Sequence, residues 1–259
     1  MWWLVAIALA QDVNPALVEA CLASDQLACR RVGGQHVMAG RHAEAVEVLE
    51  RNLSLTRVAE PSAVATWASN LASSYVELKD WSRAIALCEE ALALRRDQYG
   101  QHGITAGSLE RLAGVHRSAG EPERAAPLLD EALQMRRAVA PPDHPSTVRV
   151  ALQAAEVWAL VGRTDYVASL LPELRRGLEL QRAARPDGAH AETVRVAQLY
   201  AATGDLKAAR ELLSVLPDGP VRTEAFAALP EPPPRSPFWI LGALGLGVAL
   251  LAWGAIRAE

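Results

Sequence analysis

Aromatic side chains make up only 5% of this 259-residue chain, although 51% of it is hydrophobic. An interior drawn from that supply is filled mainly by Ala, Leu and Val, which suits helices packed closely together. Cysteine is scarce too: Cys21, Cys29 and Cys88 show no CxxC and no Cys/His spacing, so a cysteine-held metal framework is excluded. Nor is there an excess of positive charge. With 26 basic against 30 acidic residues and a net charge of -4, the chain has no electrostatic footprint for nucleic acid. Catalytic signatures are missing as well, with no phosphate loop, no HExxH and no GxSxG. The histidines at 36, 42, 102, 116, 144 and 190 are scattered, and none has a ligand's or a base's spacing. We expect no cofactor, no metal and no enzyme activity of the chain's own.

What the chain does contain is a pattern written several times. Asn70-Leu71-Ala72, a ring at Tyr75, Trp81-Ser82-Arg83-Ala84, Cys88 and Glu90-Ala91-Leu92 return about forty residues later. There they read Leu112-Ala113, His116, Gly120, Glu123-Arg124-Ala125, Leu129 and Glu131-Ala132-Leu133. The same register places a small residue at Gly33, Ala72, Ala113, Ala155 and Ala197, with a ring three residues later at His36, Tyr75, His116, Trp158 and Tyr200. A turn follows at Gly40, Lys79, Gly120, Gly162 and Gly204, four of the five being the glycine favoured where a helix ends in a left-handed residue. The second helix then supplies Ala45, Ala84, Ala125, Val167 and Ala209, and beyond them Leu49, Cys88, Leu129, Leu171 and Leu213. Each small residue lets a neighbouring helix approach while the ring and the leucine fill the space beside it. Such units cannot bury their apolar faces alone, so they stack.

This arrangement of Ala or Gly, ring, Gly and Ala resembles the tetratricopeptide repeat, over roughly residues 29–216. The common form of that family repeats every 34 residues, whereas Ala113 to Ala155 and Ala155 to Ala197 are each 42 apart. Units of that length resemble the repeats of kinesin light chains, as do Asn70-Leu71-Ala72, Ala91-Leu92-Ala93-Leu94-Arg95 and the loop Asp143-His144-Pro145. The resemblance implies an all-α solenoid of about five helical hairpins with a peptide-binding groove; association with a motor does not carry over. It also implies that the first helix of each unit lines the groove, with the residue two before the small position facing it. Those residues are Arg31, Asn70, Arg111, Gln153 and Arg195, a row able to donate hydrogen bonds to the backbone or carboxylates of an extended peptide. The alternative is a solvated helical face.

Toward the N-terminus, Met1 to Ala10 reads MWWLVAIALA and resembles a secretory signal ending at Ala8-Leu9-Ala10. A buried N-terminal helix is the competing reading. Asn14-Pro15 opens a short helix, and Ser24-Asp25 breaks it. On one continuous helix Cys21 and Cys29 would stand roughly 12 Å apart, but across that break they can meet in a disulfide. Two reduced, packed cysteines remain the other choice. Cys88 falls at a core position. Asn52-Leu53-Ser54 matches a glycosylation sequon, yet it lies on an expected helix.

The pattern stops after Leu216. Pro217-Asp218-Gly219-Pro220 breaks the helix, Thr223 to Leu229 has the composition of a short cap, and residues 229–237, LPEPPPRSP, read as an extended spacer. Residues 238–256 form an uncharged run, FWILGALGLGVALLAWGAI, which as a helix spans about 28 Å. Trp239 and Trp253 near its ends and Arg257 beyond it suit a transmembrane helix. Ala243 and Gly247 offer a small-residue face for a homodimer in the bilayer. The expected division is therefore a signal at 1–10, the solenoid at 11–216, a Pro-rich linker at 217–237, the span at 238–256 and a tail at 257–259. If the signal is read correctly, the repeats lie on the periplasmic side and the C-terminus in the cytoplasm; otherwise the protein is tail-anchored with cytoplasmic repeats. The expected function is a membrane-anchored scaffold of the bacterial envelope that binds a protein or peptide, acidic ligands included. The alternative is an accessory or regulatory subunit of an envelope enzyme or secretion complex.

Overall fold

The computed structural model describes residues 14–185 and 189–231. Among these residues it holds twelve α-helices and one 3-10 turn, Pro61–Ala63. In order the helices are α1 (Pro15–Leu22), α2 (Gln26–Met38), α3 (His42–Ala59), α4 (Val64–Glu77), α5 (Trp81–Tyr99) and α6 (Gly103–Ser118). They continue with α7 (Pro122–Val139), α8 (Pro145–Leu160), α9 (Thr164–Ala184), α10 (His190–Ala202), α11 (Leu206–Ser214) and α12 (Pro220–Ala227). The count is that of about six hairpins, one more than the register of small residues indicates: five hairpins run from α2/α3 to α10/α11, and the lone helices α1 and α12 close the ends. The extra helices escape the register because an end cap packs on one side only and need not repeat the pattern.

The local chemistry explains the breaks. Asn14 accepts the Ala16 amide at 3.0 Å and Pro15 takes the first helical position of α1. Ser24 then turns left-handed at φ 74°, and Asp25 caps α2 by accepting the Ala28 amide at 3.0 Å. Within the hairpins, Gly40, Lys79, Gly120, Gly162 and Gly204 all have positive φ, from 58° upward. In each of these turns the amide five residues past the ring donates to the ring residue's carbonyl at 2.9 Å, as Arg41 does to His36 and Asp205 does to Tyr200. This is the six-to-one closure of a Schellman motif, and it ties the ring slot to the turn that follows it.

The ring slot also anchors side chains. Tyr75 donates its hydroxyl to Glu50 and accepts from Arg83 at 3.1 Å, and the His36 imidazole accepts from Arg41 at 3.1 Å. The His116 ring meets Glu121 at 2.8 Å, and the Trp158 indole donates to Asp130 at 3.0 Å. Each of these bulky residues thus buries its body between helices and gives its polar tip a partner. Behind them Ala45, Ala84, Ala125, Val167 and Ala209 are fully buried. Cys88 is buried in the same layer, and burial pushes its thiol up to about 11.

Cys21 and Cys29 form a disulfide that joins α1 to α2, with Cα atoms 4.6 Å apart. Arg51 of α3 reaches the same end, donating to the Cys21 carbonyl at 2.9 Å and the Leu22 carbonyl at 2.6 Å. At the other end Ala225 and Leu229 are buried as α12 folds back on α11. No helix among the described residues is long and apolar enough to cross a membrane. The expected signal at 1–10 and the expected span at 238–256 lie outside the described residues.

Candidate partner-binding groove

The first helices of the hairpins, α2, α4, α6, α8 and α10, carry Arg31, Asn70, Arg111, Gln153 and Arg195 in equivalent places. Arg31, Asn70 and Arg111 are exposed, whereas Gln153 and Arg195 are half-buried. The first two make no side-chain hydrogen bond to any described residue. Arg111 donates to the Ser73 hydroxyl at 3.3 Å, across from α6 to α4. Arg195 is engaged far more firmly, giving two nitrogens to the two carboxylate oxygens of Glu156 at 2.5 and 2.7 Å. The Gln153 side-chain oxygen is enclosed and accepts no hydrogen bond from the described residues.

Three of these residues line clefts between their own first helix and the one before. Arg111 borders a pocket of about 290 Å³ between α4 and α6, shared with Ser73, Val76, Glu77, Gly114 and Arg117. Gln153 borders a space of only about 20 Å³ between α6 and α8, with Glu110, Gly114 and Arg117. Arg195 borders a cleft of about 150 Å³ between α8 and α10. Of these three clefts the one beside Arg111 has the largest volume and the next one along the smallest.

Register alone names one residue per helix, and the residues that complete the groove lie beside those. Glu110 takes Arg136 at 2.8 Å and also pairs with Arg149, while Glu156 takes Arg195 and stands 3.7 Å from Arg117. A rule in the sequence finds the cross-helix pairs: the residue after one unit's small position faces the residue two before the next unit's. Ser73 with Arg111 and Glu156 with Arg195 both obey it. Around the pocket the balance is cationic. Burial, then the charge of Arg111, lowers the pKa of Arg95, which donates to Ser108 at 2.7 Å. Among the described residues no three His, Cys, Asp or Glu side chains gather as a metal site.

A stack of paired helices with first helices along one open face is a helical-repeat protein, whose working surface is built from many units in series. The family model for the tetratricopeptide repeat matches residues 26–97 and again 63–138. That match gives the chain tetratricopeptide repeats over residues 26–138, and the hairpins beyond continue the same architecture. No curated protein matches it. Among solved structures, the nearly identical TPR-like repeats of a Podosopora anserina kinesin light chain share 21% identity and a TM-score of 0.60, over 80% of this chain and 96% of that one. BtubC (BKLC) of P. vanneervenii shares 17% identity and a TM-score of 0.62, over 89% and 93%. YrrB, described as a TPR protein with an unusual peptide-binding site, shares 17% identity and a TM-score of 0.52, over 82% and 98%. At these identities the likeness is one of fold.

Proposed function

We propose that this protein is a membrane-anchored scaffold that holds an extended segment of a partner protein in the groove formed by α2, α4, α6, α8 and α10. The observation that carries the reading is the open pocket beside Arg111. There a guanidinium and a hydroxyl face solvent on the surface that helical-repeat proteins use for recognition. The peptide-binding site of YrrB, a protein of the same fold, supports the choice of a peptide over a small molecule. Anchoring rests on the uncharged run at 238–256 and on the tryptophans near its ends.

The repeats face the periplasm in this reading, with the C-terminus in the cytoplasm. The Cys21–Cys29 disulfide supports that side, because such bonds persist in oxidising compartments. Alkaline phosphatase fused after Leu216, beside a parallel fusion to a fluorescent protein that matures only in the cytoplasm, tests it. Active phosphatase with a dark reporter is the expected result. The reverse places the repeats in the cytoplasm on a tail anchor and removes the compartment for the disulfide.

A further inference from the structure

At the position directly after the small residue of the first helix, Ser73 and Gly114 line the pocket beside Arg111, and the occupants of that position divide the solenoid in two. In the first three units it holds Gly34, Ser73 and Gly114; in the last two it holds Glu156 and Gln198. Gly114 stands inside α6 with helical backbone, and a Cβ added there would meet nothing within 4 Å. Neither packing nor a left-handed turn requires a glycine at that point, yet glycine in a helix interior costs about 1 kcal/mol relative to alanine. Such a residue leaves the backbone open to close approach from outside the fold. Gly114 lines both the pocket of about 290 Å³ and the narrow space next to it.

Charge divides the groove at the same point. On the open side, among the described residues Arg111 has only the Ser73 hydroxyl at 3.3 Å, and Arg117 only Glu156, at 3.7 Å. Glu77 is the single carboxylate among the described residues lining that pocket. On the far side Glu156 holds Arg195 at 2.5 Å, and Glu110 holds Arg136 and Arg149, so the cations there are neutralised from within. A ligand carboxylate entering the pocket meets two under-used guanidiniums, whereas one entering beyond α8 meets a groove already filled by the chain's own carboxylates.

We infer that the partner occupies only the first three units of the groove, placing an Asp or Glu carboxylate between Arg111 and Arg117, and that Glu156 is a built-in competitor for that carboxylate. The inference rests on the peptide-groove reading above and names the ligand's chemistry and its limit. Glu156 closes the C-terminal side and weakens acceptance of acid by sharing Arg117. It is a specificity-setting residue and not an anchor.

The test is selection of a random twelve-residue peptide library on the full chain in detergent micelles, followed by fluorescence anisotropy with the selected peptides. Enriched peptides carry a carboxylate at one fixed position, and changing it to the amide weakens binding about tenfold or more. Arg111→Gln gives a similar loss. Glu156→Gln strengthens the same peptides several-fold and steepens the fall of affinity with salt, since the carboxylate that shared Arg117 has gone and the site attracts the ligand's charge more strongly. Gly114→Ala separates recognition from folding, because it raises the melting midpoint by about 2–4 °C while weakening the peptides. Failure to enrich any peptide overturns the peptide-groove reading itself. Enriched peptides without a fixed carboxylate, or affinity unmoved or lowered by Glu156→Gln, overturn this inference and leave that reading standing.

Discussion

Arg96 on α5 holds one guanidinium nitrogen 2.6 Å from both carboxylate oxygens of Glu131 on α7, one repeat further along the stack. The same bond recurs from Arg57 to Glu90 at 2.8 Å, and from Arg137 to Glu173. Each arginine stands twelve residues past the small residue of its own second helix, at Ala45, Ala84 and Ala125. Each glutamate stands six past that of the next, at Ala84, Ala125 and Val167. The second helices are thus tied unit to unit on the face opposite the groove. In the first unit, where no earlier arginine exists, the glutamate's place is taken by Arg51, which instead holds the last carbonyls of α1.

These pairs are exposed, and exposed ion pairs are weak. Glu131→Arg is expected to lower the stability of the fold by about 0.5–1 kcal/mol. Arg96→Glu combined with it restores most of the loss, because the pair is remade with its signs exchanged. Urea unfolding of the two single variants and the double one measures the coupling. Purely additive losses show that the pair contributes nothing.

Lys79 occupies a left-handed turn, φ 58°, that glycine fills in the other four hairpins. A side chain there costs roughly 1–2 kcal/mol. Lys79→Gly is expected to stabilise the protein by about 1 kcal/mol after allowance for the unfolded chain's added freedom. A melting midpoint unchanged or lowered in calorimetry shows that the lysine side chain makes up for the strain.

Gly177 in α9 sits against α8 so closely that a Cβ would lie 2.2 Å from a methyl of Val148. Gly177→Ala is expected to destabilise by about 1–3 kcal/mol, the usual cost of overpacking. Val148→Ala in the same chain should recover part of it by clearing the space. Both midpoints come from one thermal series.

Much of the fold is legible in the sequence because stacking repeats the same steric demand in every unit. The small residue, the ring and the turn each have to recur, and phase places Lys79 in its turn although its residue type argues against one. Cys21 and Cys29 can meet because Ser24-Asp25 is a break and a cap in one. The polar partners are not legible to the same degree. Glu90 and Glu131 stand in the repeated words themselves, but their arginines lie one unit back, so the bond depends on the tilt between neighbouring hairpins. Glu110 and Glu156 escape for the same reason: a period names a face, not the side chain that crosses to it. α1 and α12 carry no repeat because each meets the stack on one side only.

Asn52 shows how a sequence motif yields to packing. Its sequon is intact, yet the residue is fully buried, and neither its side-chain oxygen nor its nitrogen has a hydrogen-bond partner among the described residues. The equivalent places in the next two units hold Ala91 and Ala132. Asn52→Ala is expected to stabilise by about 1 kcal/mol, since an unsatisfied buried amide costs about 1–3 kcal/mol and the cavity left by Ala offsets part of the gain. Denaturant midpoints check it, and mass spectrometry of the protein should show no glycan at this site.

The most direct test of the groove as the partner's seat is photolabelling with the selected peptides. Each peptide carries a benzophenone group beside its fixed carboxylate, and the adducts on the full chain are mapped by mass spectrometry. Adducts confined to α4 and α6, around Ser73, Gly114 and Ser118, are the expected result. Adducts concentrated on α5, α7 or α9, where the arginine–glutamate ladder runs, would contradict it and move recognition to the opposite face.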